Sequence, residues 1–153
     1  MDLSEDSGDI ISQVDIDIEV HDDAGALYRK ITESATRQLI EFLPKLESGK
    51  IERFKQDLTY SNIWRKRNKL DGLIDWRMSA ETINNLVRSL AAPYVGAHFY
   101  HKGAEIKVWK STIATSSPAN IEPGKILAIT SGGPIIKCGV GAICLTHTEP
   151  SFE

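Results

Sequence analysis

The feature that most constrains the fold of this chain is a series of short apolar segments, separated by turns, that follows residue 96. Each segment has the length of an ordinary strand, and Gly, Asn, Pro or Ser clusters lie between them. The predicted strands are Ala97–Tyr100, Glu105–Lys110, Lys125–Ile129, Pro134–Cys138 and Ala142–Thr146. Five short strands with glycine turns predict a small β-barrel.

One helix is predicted directly before these strands. Apolar residues recur at i, i+3, i+4 and i+7 from Ile83 to Leu90, which is the period of a helix with one buried face. The Ser79 hydroxyl can cap the first turn, and Glu81 suits the positive end of the helix dipole. Pro93 ends the pattern.

The N-terminal part of the chain predicts a strand followed by a long helix. Residues Val14–Glu19 alternate between apolar and acidic side chains, which is typical of a strand with one buried face. An aspartate at position 22 or 23 can cap a helix whose apolar stripe runs from Leu27 to Leu46. We expect this helix to end near Gly49, or one turn earlier at Pro44.

The net charge of −3 divides unevenly along the chain, with −7 over residues 1–60 and +4 over residues 61–153. Residues 56–68 show no convincing period and include Arg65, Lys66 and Arg67, with Lys69 directly after them. We interpret this stretch as a linker. Its cations are either a solvated flexible surface or a contact for an anionic acceptor such as a phosphate.

Composition excludes several classes of protein and site. No run of 18 apolar residues exists, so no membrane span is expected, and the acidic N-terminus does not resemble a signal peptide. We therefore expect a cytoplasmic location. Two cysteines and four histidines lack the spacing of a metal site, so we expect none. His98 and His101 flank the predicted hairpin turn and are expected at the surface or barrel rim.

Short motifs in register along nearly the whole chain resemble one family of enzymes. The segment Asp6-Ser7-Gly8-Asp9-Ile10-Ile11-Ser12-Gln13 is similar to the D-x-G-x-I-x-x-Q segment of the N10-formyltetrahydrofolate-dependent formyltransferases. Further similar segments are Leu27–Ile31, Leu43–Gly49, Ile74–Trp76, Ile83–Arg88, Pro93–Ala97, Lys107–Lys110 and Glu122–Ile126.

The resemblance implies an α+β chain in three parts. Residues 1–56 would be a strand–helix remnant of a Rossmann-like catalytic domain, residues 57–73 a linker, and residues 74–150 a small OB-like barrel with one packed helix. In the family, an asparagine, a histidine and an aspartate serve catalysis, and Asp6 matches the aspartate. The Asn-x-His pair and the folate-binding part do not occur in this sequence, so we expect the chain to be truncated, to bind no N10-formyltetrahydrofolate and to be inactive alone.

The family implies a primary amine as the acceptor of the formyl group. Our preferred acceptor is a nucleotide-linked amino sugar, with Arg65, Lys66, Arg67 and Lys69 as candidate substrate-binding residues. A methionyl-tRNA formyltransferase relative, with an RNA-contacting linker and barrel, is the alternative. A non-catalytic docking or oligomerisation module is a third reading. Because the apolar faces in residues 1–56 would lack sheet partners, we also expect a homodimer or disorder in that region.

Overall fold

The structure is a computed structural model that describes residues 8–151. Within this range the chain divides into an N-terminal unit (residues 8–20 and 26–66) and a C-terminal unit (residues 21–25 and 67–151). The division between residues 66 and 67 falls inside the segment that the sequence predicts as a linker.

A five-stranded antiparallel sheet organises the C-terminal unit. Its strands are β1 (Ala97–His101), β2 (Ala104–Ile113), β3 (Ile126–Thr130), β4 (Gly133–Lys137) and β5 (Ala142–Glu149). They are arranged in the order β1-β2-β5-β4-β3, which puts β5 in the middle. All five predicted strands are present, and the α+β class is confirmed in a form consistent with a small OB-like domain.

Alternation along the strands builds the core of this unit. In β2, Ile106 and Val108 are buried, while their neighbours Glu105 and Lys107 are half-buried. Ala97 pairs with Val108 and Phe99 with Ile106, so the same face of β1 is buried. The helix α2 (Ala80–Ser89) adds Ile83 and Val87, neither of which is more than 1% exposed. The predicted 3.6-residue period therefore describes the face that packs on the sheet.

The start of α2 is fixed both by its own cap and by the turn between β4 and β5. The Ser79 hydroxyl accepts a hydrogen bond from the Thr82 N–H (3.1 Å), as predicted. The Ala80 N–H donates to the Val140 carbonyl (2.9 Å). The Gly139 N–H donates to the carbonyls of Trp76 (2.8 Å) and Met78 (2.9 Å), so the turn satisfies polar groups that precede the helix.

His98 differs from the sequence expectation. The side chain is buried, with 3% of its surface exposed, rather than lying at the surface. The segment that precedes α2 runs beside β1: Leu73 forms a bridge with His98, and the Ile74 N–H donates to the His98 carbonyl (2.8 Å). The Tyr100 ring meets the imidazole edge-on, with 5.9 Å between the ring centres. This covering segment lies far from the histidine in sequence, so the local hairpin pattern does not reveal it.

One long helix, α1 (Ala24–Glu47), accounts for most of the regular structure at the N-terminal end. Gly49 adopts a left-handed φ of 67° just after it, as a glycine at a helix end commonly does. The Gly49 N–H donates to Leu46 and the Lys50 N–H to Lys45, which closes the last turn. The alternative stop at Pro44 is wrong, because the helix continues for three residues beyond it. The missing proline N–H removes one bond without ending the turn.

The predicted strand over Val14–Glu19 is also wrong. These residues have no regular secondary structure. β-pairing within the described residues of the N-terminal unit consists of an isolated bridge between Ile10 and Phe54, whose N–H and carbonyl groups pair at 2.8 and 2.9 Å. Alternating apolar and acidic residues indicate an extended backbone whose side chains point to opposite sides. A β-strand also needs a neighbouring strand that hydrogen-bonds to its peptide groups.

Candidate functional site

Asp6, the candidate catalytic residue, lies outside the described residues. Its role therefore remains a prediction. Within residues 8–151, His, Cys, Asp and Glu side chains do not gather in groups of three or more that could hold a metal ion.

The basic segment Arg65–Arg67 lies on an exposed stretch that joins the two units. Its three cationic residues are exposed, and the Trp64 side chain before them is 83% exposed. The Arg65 guanidinium reaches the Lys66 carbonyl at 3.4 Å. Guanidinium and ammonium groups attract phosphates, and an exposed indole offers a face on which a base can stack.

Lys69, the fourth predicted binding residue, is already engaged. Its ammonium forms an ion pair with the Glu105 carboxylate, which also accepts a hydrogen bond from the Tyr100 hydroxyl (3.2 Å). The bond to Glu105 raises the pKa of Lys69, and the bond to Lys69 lowers the pKa of Glu105. The Glu105 carboxylate therefore compensates the charge of Lys69. For this reason we do not group Lys69 with Arg65, Lys66 and Arg67 as a contact for an anionic acceptor.

A capping box fixes the backbone between the basic segment and Lys69. The Asn68 carboxamide accepts from the Leu70 N–H (2.9 Å), and the Asp71 carboxylate accepts from the Asn68 N–H (2.7 Å). These bonds begin a short 3₁₀ turn, Lys69–Gly72. The predicted linker therefore contains an ordered end, which the basic run in the sequence does not indicate.

An open pocket of about 400 Å³ lies in the C-terminal unit, at the end of the sheet where β2 and β5 meet the residues after α2. Its lining includes Ala91, Ala92, Trp109, His147 and Glu149. This volume is in the range of small-molecule sites. Sequence reasoning missed the pocket, because its residues come from segments far apart in the chain.

Trp109 lines that pocket and makes two polar contacts. Its indole N–H donates to the Glu149 carboxylate (3.1 Å), and the Lys107 ammonium lies 5.5 Å from the ring centre. A Cβ atom at Gly96 would lie 3.2 Å from the ring, so the glycine permits a close approach of backbone to indole. The pocket thus combines an aromatic surface with charges of both signs.

Among the described residues, no helix combines the length and the apolar character that a membrane span requires.

The family model described as "Formyl transferase, C-terminal domain" matches residues 66–151. The chain belongs to the formyltransferase family. The family predicted from the motifs is therefore confirmed, and the match covers the whole five-stranded sheet together with α2.

The methionyl-tRNA formyltransferase of Natranaerobius thermophilus is 33% identical over 149 residues, which cover 95% of this chain and 47% of the relative. The methionyl-tRNA formyltransferase of Bacillus subtilis is 34% identical over 151 residues, covering 95% and 46%. The chain thus spans about half the length of the relatives it matches.

An N-formyltransferase from Helicobacter canadensis, solved in complex with folinic acid and dTDP-3-aminofucose, has a similar fold. The TM-score is 0.68 at 18% identity, over 95% of this chain and 52% of that chain. At this identity the likeness concerns the fold alone.

Proposed function

We propose that this chain carries the acceptor-recognising part of a formyltransferase that moves a formyl group from N10-formyltetrahydrofolate to the amine of methionyl-tRNA. The observation that supports this proposal most directly is the exposed segment Trp64–Arg67, which places an indole beside three cations. Proteins that bind single-stranded or looped RNA combine cations along the backbone with aromatic rings under the bases. The tRNA acceptor is our first candidate because the relatives at 33–34% identity are methionyl-tRNA formyltransferases.

The reaction defines what the rest of such an enzyme must supply. The acceptor amine attacks the formyl carbon, the bond from that carbon to N10 breaks, and the proton lost by the amine replaces the formyl group on the folate. Hydrogen-bond donors must stabilise the oxyanion that develops on the formyl oxygen, and a basic group must take the amine proton. An ionised Asp6 could accept a proton but could not donate to an oxyanion. We therefore expect the chain alone to transfer no formyl group.

The test of the tRNA proposal is the salt dependence of binding to the complete chain. Each neutralised phosphate lowers log K by about 0.7–0.9 per unit of log salt concentration. Replacing Arg65, Lys66 and Arg67 together by alanine should therefore reduce the slope by about 2–3. Filter binding of methionyl-tRNA at a series of NaCl concentrations measures it.

Two controls separate this contact from general electrostatics. A triple alanine variant of Arg29, Arg37 and Lys45, exposed cations of α1, removes the same charge and should leave the slope unchanged. Trp64→Ala should weaken binding by about 5- to 150-fold without altering the slope, because stacking is independent of salt. Equal slopes for both triple variants, or no tRNA binding at all, would reject the proposal.

A nucleotide-linked amino sugar is the second candidate acceptor, and the Trp109 pocket favours it. A sugar ring can pack on the indole, while the Glu149 carboxylate can accept hydrogen bonds from an amine or hydroxyl. Binding of a dTDP-linked amino sugar that is lost in Trp109→Ala, with no tRNA binding, would favour this acceptor. A chain that binds neither acceptor would favour the third reading, a non-catalytic docking or oligomerisation module.

We keep a cytoplasmic location as part of this proposal.

A further inference from the structure

The Trp109 pocket takes part of its wall from a short segment of the C-terminal unit that lies far from the sheet in sequence. The Arg88 guanidinium of α2 donates to the Asp22 carbonyl (3.0 Å), and the Asn85 carboxamide accepts from the same guanidinium (2.8 Å). Asp22 is buried, and Asp23, the next residue, lines the pocket. The helix α2 therefore holds the segment that supplies one acidic side chain of the wall.

The sheet side of the pocket is formed where β2 and β5 depart from regular pairing. Lys110 pairs with His147, and a register shift lies on each side of this pair, so the register passes over Trp109 on β2 and Thr146 on β5. Neighbouring residues of a regular strand point to opposite faces, yet Trp109 and Lys110 both line the pocket. The irregular pairing therefore brings an aromatic ring and a cation to the same side. Bulges re-aim side chains in this way, and they are frequent beside active sites.

The polar groups of the wall carry both signs of charge. Asp23 and Glu149 contribute carboxylates, Lys110 contributes an ammonium and His147 an imidazole, so the net charge is −1 when the imidazole is neutral. The bond from the Trp109 indole N–H orients the Glu149 carboxylate and uses one of its two oxygens. A zwitterion adds no net charge to such a wall, whereas a phosphate would meet two carboxylates.

The remainder of the wall is apolar. Ala91, Ala92 and the Trp109 indole supply it, beside the charged groups. Aliphatic and thioether groups pack favourably against an indole. The volume of about 400 Å³ is at the small end of the range for ligand sites, so it suits a ligand of amino-acid size.

We propose that the Trp109 pocket binds a free α-amino acid with an apolar side chain. The ammonium of the ligand contacts the Glu149 carboxylate, its carboxylate contacts the Lys110 ammonium, and its side chain packs on the Trp109 indole. This site is separate from the acceptor contact at residues 64–67 and goes beyond the proposed function, because it does not depend on which acceptor the enzyme uses. A nucleotide-linked amino sugar, our second candidate acceptor, would occupy the same wall and is therefore one outcome of the test.

The probe is L-methionine, whose unbranched side chain and thioether suit an aromatic wall. Proton–nitrogen correlation spectra of the complete chain show one indole N–H signal for each of the three tryptophans. The Trp109 signal is identified by its loss in Trp109→Phe. It should shift as L-methionine is added and should saturate with a Kd of about 1 mM or tighter. The signals of Trp64 and Trp76 should not shift.

Glu149→Gln and Lys110→Gln test the two charged contacts separately. Glu149→Gln leaves an oxygen that can accept from the indole N–H, so it removes the charge alone. Each variant should weaken binding about 10- to 150-fold, the loss expected for a hydrogen bond to a charged group. Glu122→Gln and Lys102→Gln, at exposed positions of the same unit, are the matched controls and should change the Kd less than about 2-fold.

Analogues of the ligand show which of its charges meets which side chain. L-methioninamide lacks the carboxylate, so it should bind the unaltered chain about 10- to 150-fold more weakly than L-methionine does. It should bind Lys110→Gln as well as L-methionine does, because the two changes remove the same contact. N-acetyl-L-methionine lacks the ammonium and should show the same relation with Glu149→Gln.

Two results overturn the proposal on the unaltered chain. One is no saturable shift of the Trp109 signal up to about 10 mM L-methionine. The other is displacement of L-methionine by a lower concentration of a dTDP-linked amino sugar, because the pocket is then an acceptor site. Equal weakening by the pocket variants and their controls overturns it as well. The analogues keep the test valid if a variant fails to fold. Salt-dependent tRNA binding is measured separately, so failure of this site and failure of the proposed function are told apart.

Discussion

Gly139→Ala should be among the most destabilising single-methyl additions in the C-terminal unit. A Cβ atom at this position would lie 1.9 Å from the Arg77 carbonyl oxygen and 2.7 Å from its carbon. Relief of that overlap requires the backbone to move by about 1 Å or more. The movement would also break the bonds from the Gly139 N–H to Trp76 and Met78. Overpacking and two lost hydrogen bonds together predict a loss of about 3–5 kcal/mol in the free energy of unfolding.

Gly132→Ala is the matched control, because Gly132 also lies in a turn between two strands of the sheet. A Cβ atom there would have its nearest neighbour at 3.7 Å, which is ordinary contact. We expect a change within about 0.5 kcal/mol. Urea unfolding followed by tryptophan emission measures both variants, since Trp76 packs against the core of this unit with its ring centre 5.2 Å from that of Phe99. Loss of less than about 1 kcal/mol in Gly139→Ala would show that the turn does not fix the start of α2 as described.

Two further predictions concern the same end of α2. Ser79→Ala removes the acceptor for the Thr82 N–H and should lower stability by about 1 kcal/mol in the same unfolding assay, whereas no change would mean that water caps the helix equally well. The bond to the Arg77 guanidinium lowers the pKa of Asp75 to about 2, so the stabilisation from this exposed pair is present above pH 3.8 and is lost as the pH falls through about 2. Titration of the Asp75 carboxyl by NMR should show that midpoint and a return toward 3.8 in Arg77→Leu, and identical midpoints would contradict the assignment of the shift to Arg77.

The local patterns of the C-terminal part predicted its elements well. The Ser79 cap and the apolar period from Ile83 to Leu90 depend only on residues within one helix. Each predicted strand is likewise bounded by turn residues next to it in the sequence. The same reasoning assigned a strand to Val14–Glu19, where an extended backbone lacks a partner. β-pairing requires two segments, so the alternating residues of one segment do not establish that it is part of a sheet.

The candidate site was less predictable because its chemistry depends on residues distant in sequence. Arg65, Lys66 and Arg67 were found from a local run of charge, and they are exposed. Lys69 belongs to the same run, but Glu105, 36 residues later, compensates its charge. The bond between Trp109 and Glu149 spans 40 residues and likewise leaves no local signal.

Folate-dependent formyl transfer, measured with the isolated chain and with a fusion of this chain to the N-terminal half of the Natranaerobius relative, tests the central claim most directly. Our account predicts no transfer to methionyl-tRNA by the isolated chain above the rate without protein. It predicts measurable transfer by the fusion, reduced when Arg65, Lys66 and Arg67 are replaced by alanine. Turnover of N10-formyltetrahydrofolate by the isolated chain, at a rate that Asp6→Asn abolishes, would contradict it.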